Sequence, residues 1–388
     1  MKIQNKIPYG QQFLDQRDEK EVLNSLKQKF ITTGAYVQKF EKSFKRKFKS
    51  KYAFTCSNAT AGLHLAFMSI NLSKSDVVLM PAINFISSYR TAKMMGAKIY
   101  LVDVDEMTGQ MSVENILKCI KINNLKKIKA IITMYLGGYV ENNIDFYYLK
   151  KRLGCYLIED ACHAIGSKYK FKNSYFYVGS CKHSDVCVFS FHPVKTITTG
   201  EGGIVSTNNK KIAKRLSILR NHGIIRGKNY WDYDIKDLGF NYRLSDINCA
   251  LGLSQLNKIE LFFRKRKKIF DLYKKNFKPY YEFLHFPKSK NKYNLYHLFL
   301  LGINFNKIKK DKNAFIIYLN KKGIFPQFHY KPIFKFSFFK NKNFKKFPGT
   351  IKYYKNYLSL PIYYNLSKKE QMFIISKIIS YLKKNKKK

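Results

Sequence analysis

Residues 188–207 read VFSFHPVKTITTGEGGIVST and place one lysine between two predicted strands. Apolar residues up to Phe191 predict the first strand, Pro193 ends it, and Lys195 follows at its carboxyl end. A glycine-rich turn, GEGG at 200–203, leads into the second strand. A lysine held on a rigid edge beside a tight turn suits Schiff-base chemistry, because its amine can be desolvated and neutral. Most lysines are solvated surface groups, so Lys195 alone is weak evidence for a site.

Short β-branched or aromatic runs alternate with helical stretches on both sides of this segment. The predicted strands are Tyr52–Cys56, Val77–Met80, Lys98–Val104, Ala130–Tyr135, Tyr156–Ile158, Val186–Phe191 and Gly203–Thr207. The predicted helices between them include Ala59–Ile70, Ile86–Met95 and Val113–Ile122. This order predicts an α/β fold with a mostly parallel sheet and helices on both faces. In such sheets ligands bind outside the carboxyl ends of the strands.

The pattern changes after Ser245. One long helix is predicted over 246–277, a loop over 285–294 and a further helix over 367–382. We therefore expect a large domain at 1–248, with an N-terminal arm, and a smaller C-terminal α+β domain at 249–388. The lysine run at 383–388 is expected to be a solvated, frayed end.

An acidic pair and a histidine follow another apolar strand, in the sequence LIEDACH at 157–163. Asp160 could pair with the protonated nitrogen of a pyridine-type cofactor and so make the ring an electron sink. It could equally be a turn former or a helix cap. His163 could donate to a phenolic oxygen of the cofactor, or it could simply pack.

A third candidate is the strand-to-helix junction TCSNATAG at 55–62. Backbone N–H groups at a helix N-terminus bind phosphate without a lysine, although by itself this junction is an ordinary helix cap. Phe85, after the next strand, could offer a flat face to a planar ring, but a core role is more common. Together the pieces are stronger than each alone, because all lie at predicted strand ends of one sheet.

The motifs that carry these residues resemble the DegT/DnrJ/EryC1/StrS family of sugar aminotransferases, which have the aspartate aminotransferase (type I) fold. The resemblance spans about Pro8 to Leu382. It is densest in SNATAGLHLAF (57–67), EDACHAIGS (159–167), VFSFHPVKTITTGEGGIVSTN (188–208) and GFNYRLSDINCALGLSQL (239–256).

The resemblance implies pyridoxal 5'-phosphate as the cofactor and gives a role to each matching residue. Lys195 matches the Schiff-base lysine, Asp160 the partner of the pyridine nitrogen and His163 the residue near the 3-oxygen of the cofactor. The residues implied to surround the phosphate and the ring are Asn58, Ala59, Thr60, Ser190 and Phe85. Asn241 lies in the segment that reaches the neighbouring subunit's phosphate in the family, so a homodimer with shared active sites is implied.

Transamination is favoured because Lys195 is present, whereas some family members replace this lysine by histidine and dehydrate the sugar. The stretch 189–203 and QFHYKPIF (327–334) are most similar to members that aminate UDP-linked 4-keto-6-deoxy sugars for pseudaminic acid synthesis. L-glutamate is then the amino donor, and His329 and Tyr330 approach the sugar nucleotide, unless they are ordinary loop residues. Alternatives are a perosamine- or bacillosamine-type aminotransferase, or a PLP-dependent lyase on the same fold.

The composition bears on partners and location. The 388 residues include 73 basic and 25 acidic side chains, for a net charge of +48. A nucleic-acid-binding protein is the non-enzyme alternative, but the lysines are spread along the chain and not gathered in one stripe. Seven cysteines without a CxxC pair support neither zinc nor a disulfide framework. Residues 1–10 are polar, and no apolar run approaches the ~20 residues that span a bilayer, so we expect a cytoplasmic protein.

Overall fold

The computed structural model describes residues 6–229, 231–287, 289, 291–339 and 344–387. Its strands are β1 (Ile7–Pro8), β2 (Tyr52–Cys56), β3 (Val77–Pro81), β4 (Lys98–Val102), β5 (Ala130–Met134), β6 (Tyr156–Asp160), β7 (Lys168–Phe171), β8 (Ser174–Tyr177), β9 (Val186–Ser190), β10 (Gly203–Thr207), β11 (Ile224–Arg226), β12 (Tyr233–Ile235), β13 (Leu284–His285), β14 (Phe299–Ile303), β15 (Ile324–Phe325) and β16 (Tyr357–Leu360). Its α-helices are α1 (Gln16–Leu26), α2 (Ala35–Phe48), α3 (Ala59–Ser69), α4 (Ile86–Met94), α5 (Val113–Ile122), α6 (Asn143–Leu153), α7 (Lys210–Leu219), α8 (Asp246–Asn257), α9 (Ile259–Phe277), α10 (Lys312–Lys321), α11 (Pro348–Asn356) and α12 (Lys368–Asn385).

The central sheet has seven strands in the order β2-β10-β9-β6-β5-β3-β4. Strands β9, β6, β5, β3 and β4 are parallel, and β10 is antiparallel to both of its neighbours. The prediction of a mostly parallel sheet is therefore confirmed. All strands of this sheet except β10 run in one direction, so the carboxyl ends of these strands meet at one edge. Since β10 runs in the opposite direction, it begins at that edge.

Helices cover both faces of the sheet, as the alternation of strands and helices predicts. On one face, α3 and α7 pack their apolar residues against Val78, Ile158 and Val188 of the strands. On the other face, α2 packs Phe40 and Phe44 near Phe189. Consecutive strand residues point to opposite faces, so the continuous apolar runs of these strands are buried on both sides.

The prediction of one helix over 246–277 is wrong, because the chain breaks at Lys258 into α8 and α9. The Lys258 ammonium is buried and pairs with Asp15 at 2.9 Å and with Asp18 at 2.5 Å. A buried lysine needs such partners. The break is thus tied to acidic residues at the start of α1, far away in the sequence.

The C-terminal part is an α+β arrangement, as predicted. Strands β13, β14 and β16 form an antiparallel sheet, and α12 packs against α9. The prediction of a frayed end at 383–388 is wrong for the described residues. Helix α12 runs to Asn385, and Lys386 forms an isolated β-bridge with Ile308. These lysines are nevertheless exposed, as expected, whereas Lys388 lies outside the described residues.

The N-terminal segment reaches the C-terminal part of the chain. Strand β1 pairs in parallel with β15, in the register of Ile7 with Ile324. Helix α8 spans the predicted domain boundary and packs against α1 and α2. The division at residue 248 remains a prediction. No helix within the described ranges is long and apolar enough to cross a membrane.

Candidate active site

A cavity of about 660 Å³ opens at the edge where the carboxyl ends of the parallel strands meet. Most of the residues singled out in the sequence line it: Asn58, Ala59, Thr60, Phe85, Asp160, Ser190, Lys195, His329 and Tyr330. Asp160 is the last residue of β6 and Ser190 the last of β9. His163 lies behind Tyr330, which lines the cavity and forms a hydrogen bond with it. Asn241 is exposed and forms an isolated β-bridge with Asn221.

Lys195 lies in the turn that follows β9, where its backbone N–H donates to the His192 carbonyl at 2.8 Å. Burial lowers the pKa of the Lys195 amine, while the thiol of Cys162 and the carboxyl of Asp160 oppose the shift. The amine forms no ion pair within the described part of the chain. A lysine with a lowered pKa and no fixed partner has the nucleophilic amine that Schiff-base formation requires.

Asp160 is buried and is held by donors on two sides. The Ser88 hydroxyl donates to its Oδ2 at 3.1 Å, and the Cys162 N–H donates to its Oδ1 at 3.3 Å. The amide Nδ2 of Asn84 in turn donates to Ser88 at 3.1 Å. The carboxylate is thereby fixed at one wall of the cavity, facing the space beside Lys195.

The N-terminus of α3 forms a second wall. Asn58 caps the helix, and its side-chain oxygen accepts from the Ala61 N–H at 2.9 Å. The first two helical N–H groups, of Ala59 and Thr60, have no protein partner within the described ranges. Free N–H groups at a helix N-terminus bind phosphate.

Strand β10 approaches this helix closely. A Cβ on Gly203 would lie 2.9 Å from the carbonyl carbon of Asn58 and 3.0 Å from the Ala59 nitrogen. Only glycine allows this approach, because the clashing atoms belong to the backbone. The Thr60 and Ser87 hydroxyls bond each other at 2.8 Å beside the same wall.

His163 is fully enclosed, and both of its ring nitrogens have partners. The Gly137 N–H donates to Nδ1 at 3.3 Å, and Nε2 lies 2.9 Å from the Tyr330 hydroxyl. Burial lowers the pKa of His163 well below its usual value, and the charged form of Lys195 would lower it further. The ring is therefore neutral with Nδ1 accepting, so Nε2–H donates to Tyr330 and the hydroxyl hydrogen of Tyr330 is free to point elsewhere.

Two more imidazoles lie in this part of the wall. His329 bonds the Ser359 hydroxyl through Nδ1 at 2.8 Å, and burial together with Lys195 lowers its pKa to about 3. His297 lines the cavity and its ring lies 4.3 Å from that of His163. Burial also lowers the pKa of His297 well below its usual value. This wall therefore offers neutral hydrogen-bonding groups at pH 7.

Phe85 lines the cavity with 53% of its surface exposed, and its ring lies 5.8 Å from that of Tyr330. The core role considered as an alternative is therefore wrong. An exposed face at a cavity wall is available to a planar ligand, and the predicted stacking on a cofactor ring remains a prediction.

Sequence reasoning missed several residues of the site. Tyr9 reaches the cavity from the N-terminal segment, and its ring lies 5.2 Å from that of His329. Ser88 and Asn84 have only one local signal, their spacing of four residues at a helix start. His297 lies two residues before the apolar strand β14, but nothing near it indicates that this strand lies beside the cavity.

The family model for the DegT/DnrJ/EryC1/StrS aminotransferase family matches residues 12–379, and the chain belongs to this family. It is a PLP-dependent aminotransferase with the type I fold of these enzymes. Both the fold and the class of enzyme expected from the sequence are confirmed.

The chain is 35% identical over 387 residues to the UDP-4-amino-4,6-dideoxy-N-acetyl-beta-L-altrosamine transaminase of Campylobacter jejuni (strain 81-176), covering 98% of this chain and 99% of that protein. It is 39% identical over 271 residues to the GDP-perosamine synthase of Escherichia coli O157:H7, covering 70% and 71%.

Solved structures agree with the fold. Helicobacter pylori PseC, an aminotransferase involved in the biosynthesis of pseudoaminic acid, matches with a TM-score of 0.86 at 26% identity, covering 98% of this chain and 100% of that chain. The putative sugar aminotransferase Spr1654 of Streptococcus pneumoniae, in its PMP form, matches with a TM-score of 0.89 at 26% identity, covering 97% and 99%.

Proposed function

We propose that the enzyme transfers the amino group of L-glutamate to C4 of a UDP-linked 4-keto-6-deoxy-N-acetylhexosamine, for the synthesis of a pseudaminic-acid-type surface glycan. The carrying observation is that Lys195 and Asp160, from two neighbouring strand ends, face one cavity. The choice of sugar is supported by the similarity of this chain to the UDP-4-amino-4,6-dideoxy-N-acetyl-beta-L-altrosamine transaminase of Campylobacter jejuni over nearly the full length of both proteins.

The residues present fit pyridoxal phosphate. The Lys195 amine, with its lowered pKa, would hold the cofactor covalently. The free N–H groups of Ala59 and Thr60, with Ser190, would receive the phosphate. Asp160 would face the pyridine nitrogen, and Phe85 would lie against the ring. When bound, the cofactor supplies an aldehyde that takes up the amino group and a ring that delocalises negative charge.

The protein's own groups then handle the protons. A neutral Lys195 Nζ can accept the α-proton of L-glutamate, because burial disfavours its charged form. Asp160 is fixed by Ser88 and Cys162. Its carboxylate would therefore stabilise a proton on the pyridine nitrogen of the bound cofactor. His163 acts on this site through the Tyr330 hydroxyl, to which it donates.

We place Asn241 at the phosphate of a partner subunit in a homodimer, and we propose a cytoplasmic location. The segment beside it exposes apolar side chains: Ile235 is 56% exposed, Leu238 84% and Phe240 43%. Such a group of apolar residues on one segment favours a protein interface.

The decisive experiment gives the purified protein L-glutamate and a panel of UDP-, GDP- and dTDP-linked 4-keto-6-deoxy sugars. Glutamate should bleach the visible absorption of the bound cofactor and release 2-oxoglutarate, and mass spectrometry should find the amine on the UDP sugar. Lys195→Ala should remove both the visible band and turnover.

The same panel separates the alternatives. Amination of the GDP sugar alone would support the perosamine-type activity named for the Escherichia coli relative. Cofactor absorption without any 2-oxoglutarate would point to a lyase. An active Lys195→Ala variant would falsify the assignment of this residue.

A further inference from the structure

The segment that follows β12 is tied to the N-terminal part of α3 through Tyr242. The Ser57 N–H donates to the Tyr242 carbonyl at 2.9 Å, and the Tyr242 hydroxyl lies 3.0 Å from Nδ1 of His64. Ser57 lies just before the start of α3, whereas His64 lies in the second turn of this helix. Tyr242 therefore contacts the chain both before and after the N–H groups of Ala59 and Thr60.

The contact between Tyr242 and His64 lies on the helix face that carries Thr60. His64 follows Thr60 by four residues, and residues spaced by four are neighbours on the surface of an α-helix. Thr60 and Tyr242 both line the cavity around Lys195. The Tyr242 hydroxyl therefore holds α3 on the side of the helix that faces this cavity.

Tyr242 is itself held in place by the surrounding structure. Its N–H donates to the Arg220 carbonyl at 3.1 Å, and its ring stacks on that of Phe240 at 5.1 Å. The guanidinium of Arg220 pairs with the Glu41 carboxylate at 2.5 Å and donates to the Thr55 carbonyl at 3.0 Å. Because Thr55 belongs to β2, this network connects Tyr242 to the central sheet.

We propose that Tyr242, through its hydrogen bond with His64, is a positioning residue for the phosphate of the cofactor. This inference rests on the proposed function, since the phosphate site at the N-terminus of α3 is taken from there. Tyr242 adds no charge to the site. Its contribution is to fix the position and direction of the N–H groups of Ala59 and Thr60, which must converge on one phosphate.

The other contacts of α3 explain why a hydrogen bond is needed for this purpose. Apolar packing encloses the helix, with Leu63, Leu65 and Phe67 buried in the core. The hydrophobic effect has no preferred direction, whereas a hydrogen bond constrains both a distance and an angle. A hydrogen bond at the second turn therefore limits small shifts of α3 that apolar packing tolerates.

The experiment titrates the full-length apoprotein with pyridoxal phosphate and with pyridoxal, which lacks the phosphate. Absorption of the aldehyde bound at Lys195 follows both titrations. Tyr242→Phe removes only the hydroxyl group. It should weaken the binding of pyridoxal phosphate about fivefold, the equivalent of one net hydrogen bond, and change the binding of pyridoxal by less than about twofold.

Variants of His64 test the other partner of the same bond. His64→Leu should show the same selective loss as Tyr242→Phe, and the double variant should lose no more than either single variant, because both remove one interaction. His64→Asn places an amide group near the position of Nδ1. It should therefore restore most of the preference for pyridoxal phosphate over pyridoxal.

Tyr273→Phe is the matched control. The Tyr273 hydroxyl is buried in the C-terminal part and donates to the Pro361 carbonyl at 3.0 Å. Its loss should lower the free energy of unfolding but leave the affinities for both aldehydes unchanged.

Two results would overturn the inference. Equal weakening of pyridoxal phosphate and pyridoxal in Tyr242→Phe and His64→Leu would show a role in general stability only, and unchanged affinities would show no role at all. A parent protein that binds pyridoxal as tightly as pyridoxal phosphate would instead contradict the phosphate site of the proposed function, and with it the basis of this inference.

Discussion

The hydroxyl of Ser88 donates a 3.1 Å hydrogen bond to the Oδ2 of Asp160, a residue 72 positions further along the chain. Asn84 fixes the direction of this bond. Its side-chain oxygen accepts from the Phe85 N–H at 2.7 Å, which leaves its NH₂ group to donate to Ser88. Ser88 therefore uses its single hydrogen toward the carboxylate.

Replacement of Ser88 by alanine should loosen Asp160. A hydrogen bond to a charged group contributes about 1.5–3 kcal/mol, so we expect affinity for pyridoxal phosphate to fall roughly tenfold or more. Ser88→Thr, which keeps the hydroxyl, should restore most of this affinity. Fluorescence titration of the apoprotein with the cofactor measures the effect.

The control for Ser88→Ala is Ser69→Ala, which removes another buried hydroxyl, one that bonds the Ala66 carbonyl within α3. Equal losses of cofactor affinity in both variants would mean that Ser88 acts only on general stability.

Tyr330→Phe should destabilise the apoprotein. The change leaves the Nε2–H of His163 buried without an acceptor, because Nδ1 is already occupied by the Gly137 N–H. An unsatisfied buried donor costs about 1–3 kcal/mol, which urea unfolding can measure. In a double-mutant cycle with His163→Phe, the two losses should be far from additive. Additive losses would show that the two side chains do not interact.

Gly203→Ala should disturb the phosphate-binding end of α3. The new Cβ would lie 2.9 Å from both the Asn58 carbonyl carbon and the Phe189 carbonyl oxygen, so backbone must move. Overpacking of this kind lowers the free energy of unfolding by about 1–3 kcal/mol. We expect the affinity for pyridoxal phosphate to fall as well. Gly10→Ala, whose Cβ would meet nothing closer than 3.6 Å, is the control and should be nearly neutral. An unchanged Gly203→Ala protein would contradict the close approach.

Acid should destabilise the protein through its buried imidazoles. Burial lowers the pKa of His329 to about 3, whereas an unfolded histidine titrates near 6.5. Between about pH 6.5 and pH 3 the unfolded chain therefore binds a proton that folded His329 does not, so the free energy of unfolding falls as the pH drops. The contribution of one such group is about 1.4 kcal/mol per pH unit and is absent above about pH 6.5.

Urea unfolding of the parent and of His329→Gln at several pH values tests this expectation. The variant should lose stability less steeply below about pH 6.5, and the two slopes should agree above it. Parallel curves over the whole range would mean that His329 is protonated in the folded state.

The central sheet could be predicted because its strands are short apolar runs bounded by glycine, proline or polar residues. The site residues at strand ends, such as Asp160 and Lys195, followed from the sheet together with the family motifs. Other features had no local signal. The helix break at Lys258 depends on Asp15 and Asp18, more than two hundred residues away, while the apolar periodicity continues through it.

Tyr9 and Ser88 escaped prediction for the same physical reason. Each reaches the site through long-range packing. Nothing in the neighbouring sequence distinguishes this tyrosine or this serine from the others in the chain. Local patterns therefore predicted the strand ends, and tertiary contacts supplied the residues that hold them in position.

The parallel pairing of Ile7 with Ile324 also constrains the order of events during synthesis. A ribosome produces the chain from its N-terminus, so β1 emerges first but has no partner until more than three hundred further residues have followed. Tyr9, next to β1, can therefore join His329 and Tyr330 only when translation is nearly complete. A nascent chain stalled before β15 would contain the strands of the central sheet but not the complete lining of the cavity around Lys195.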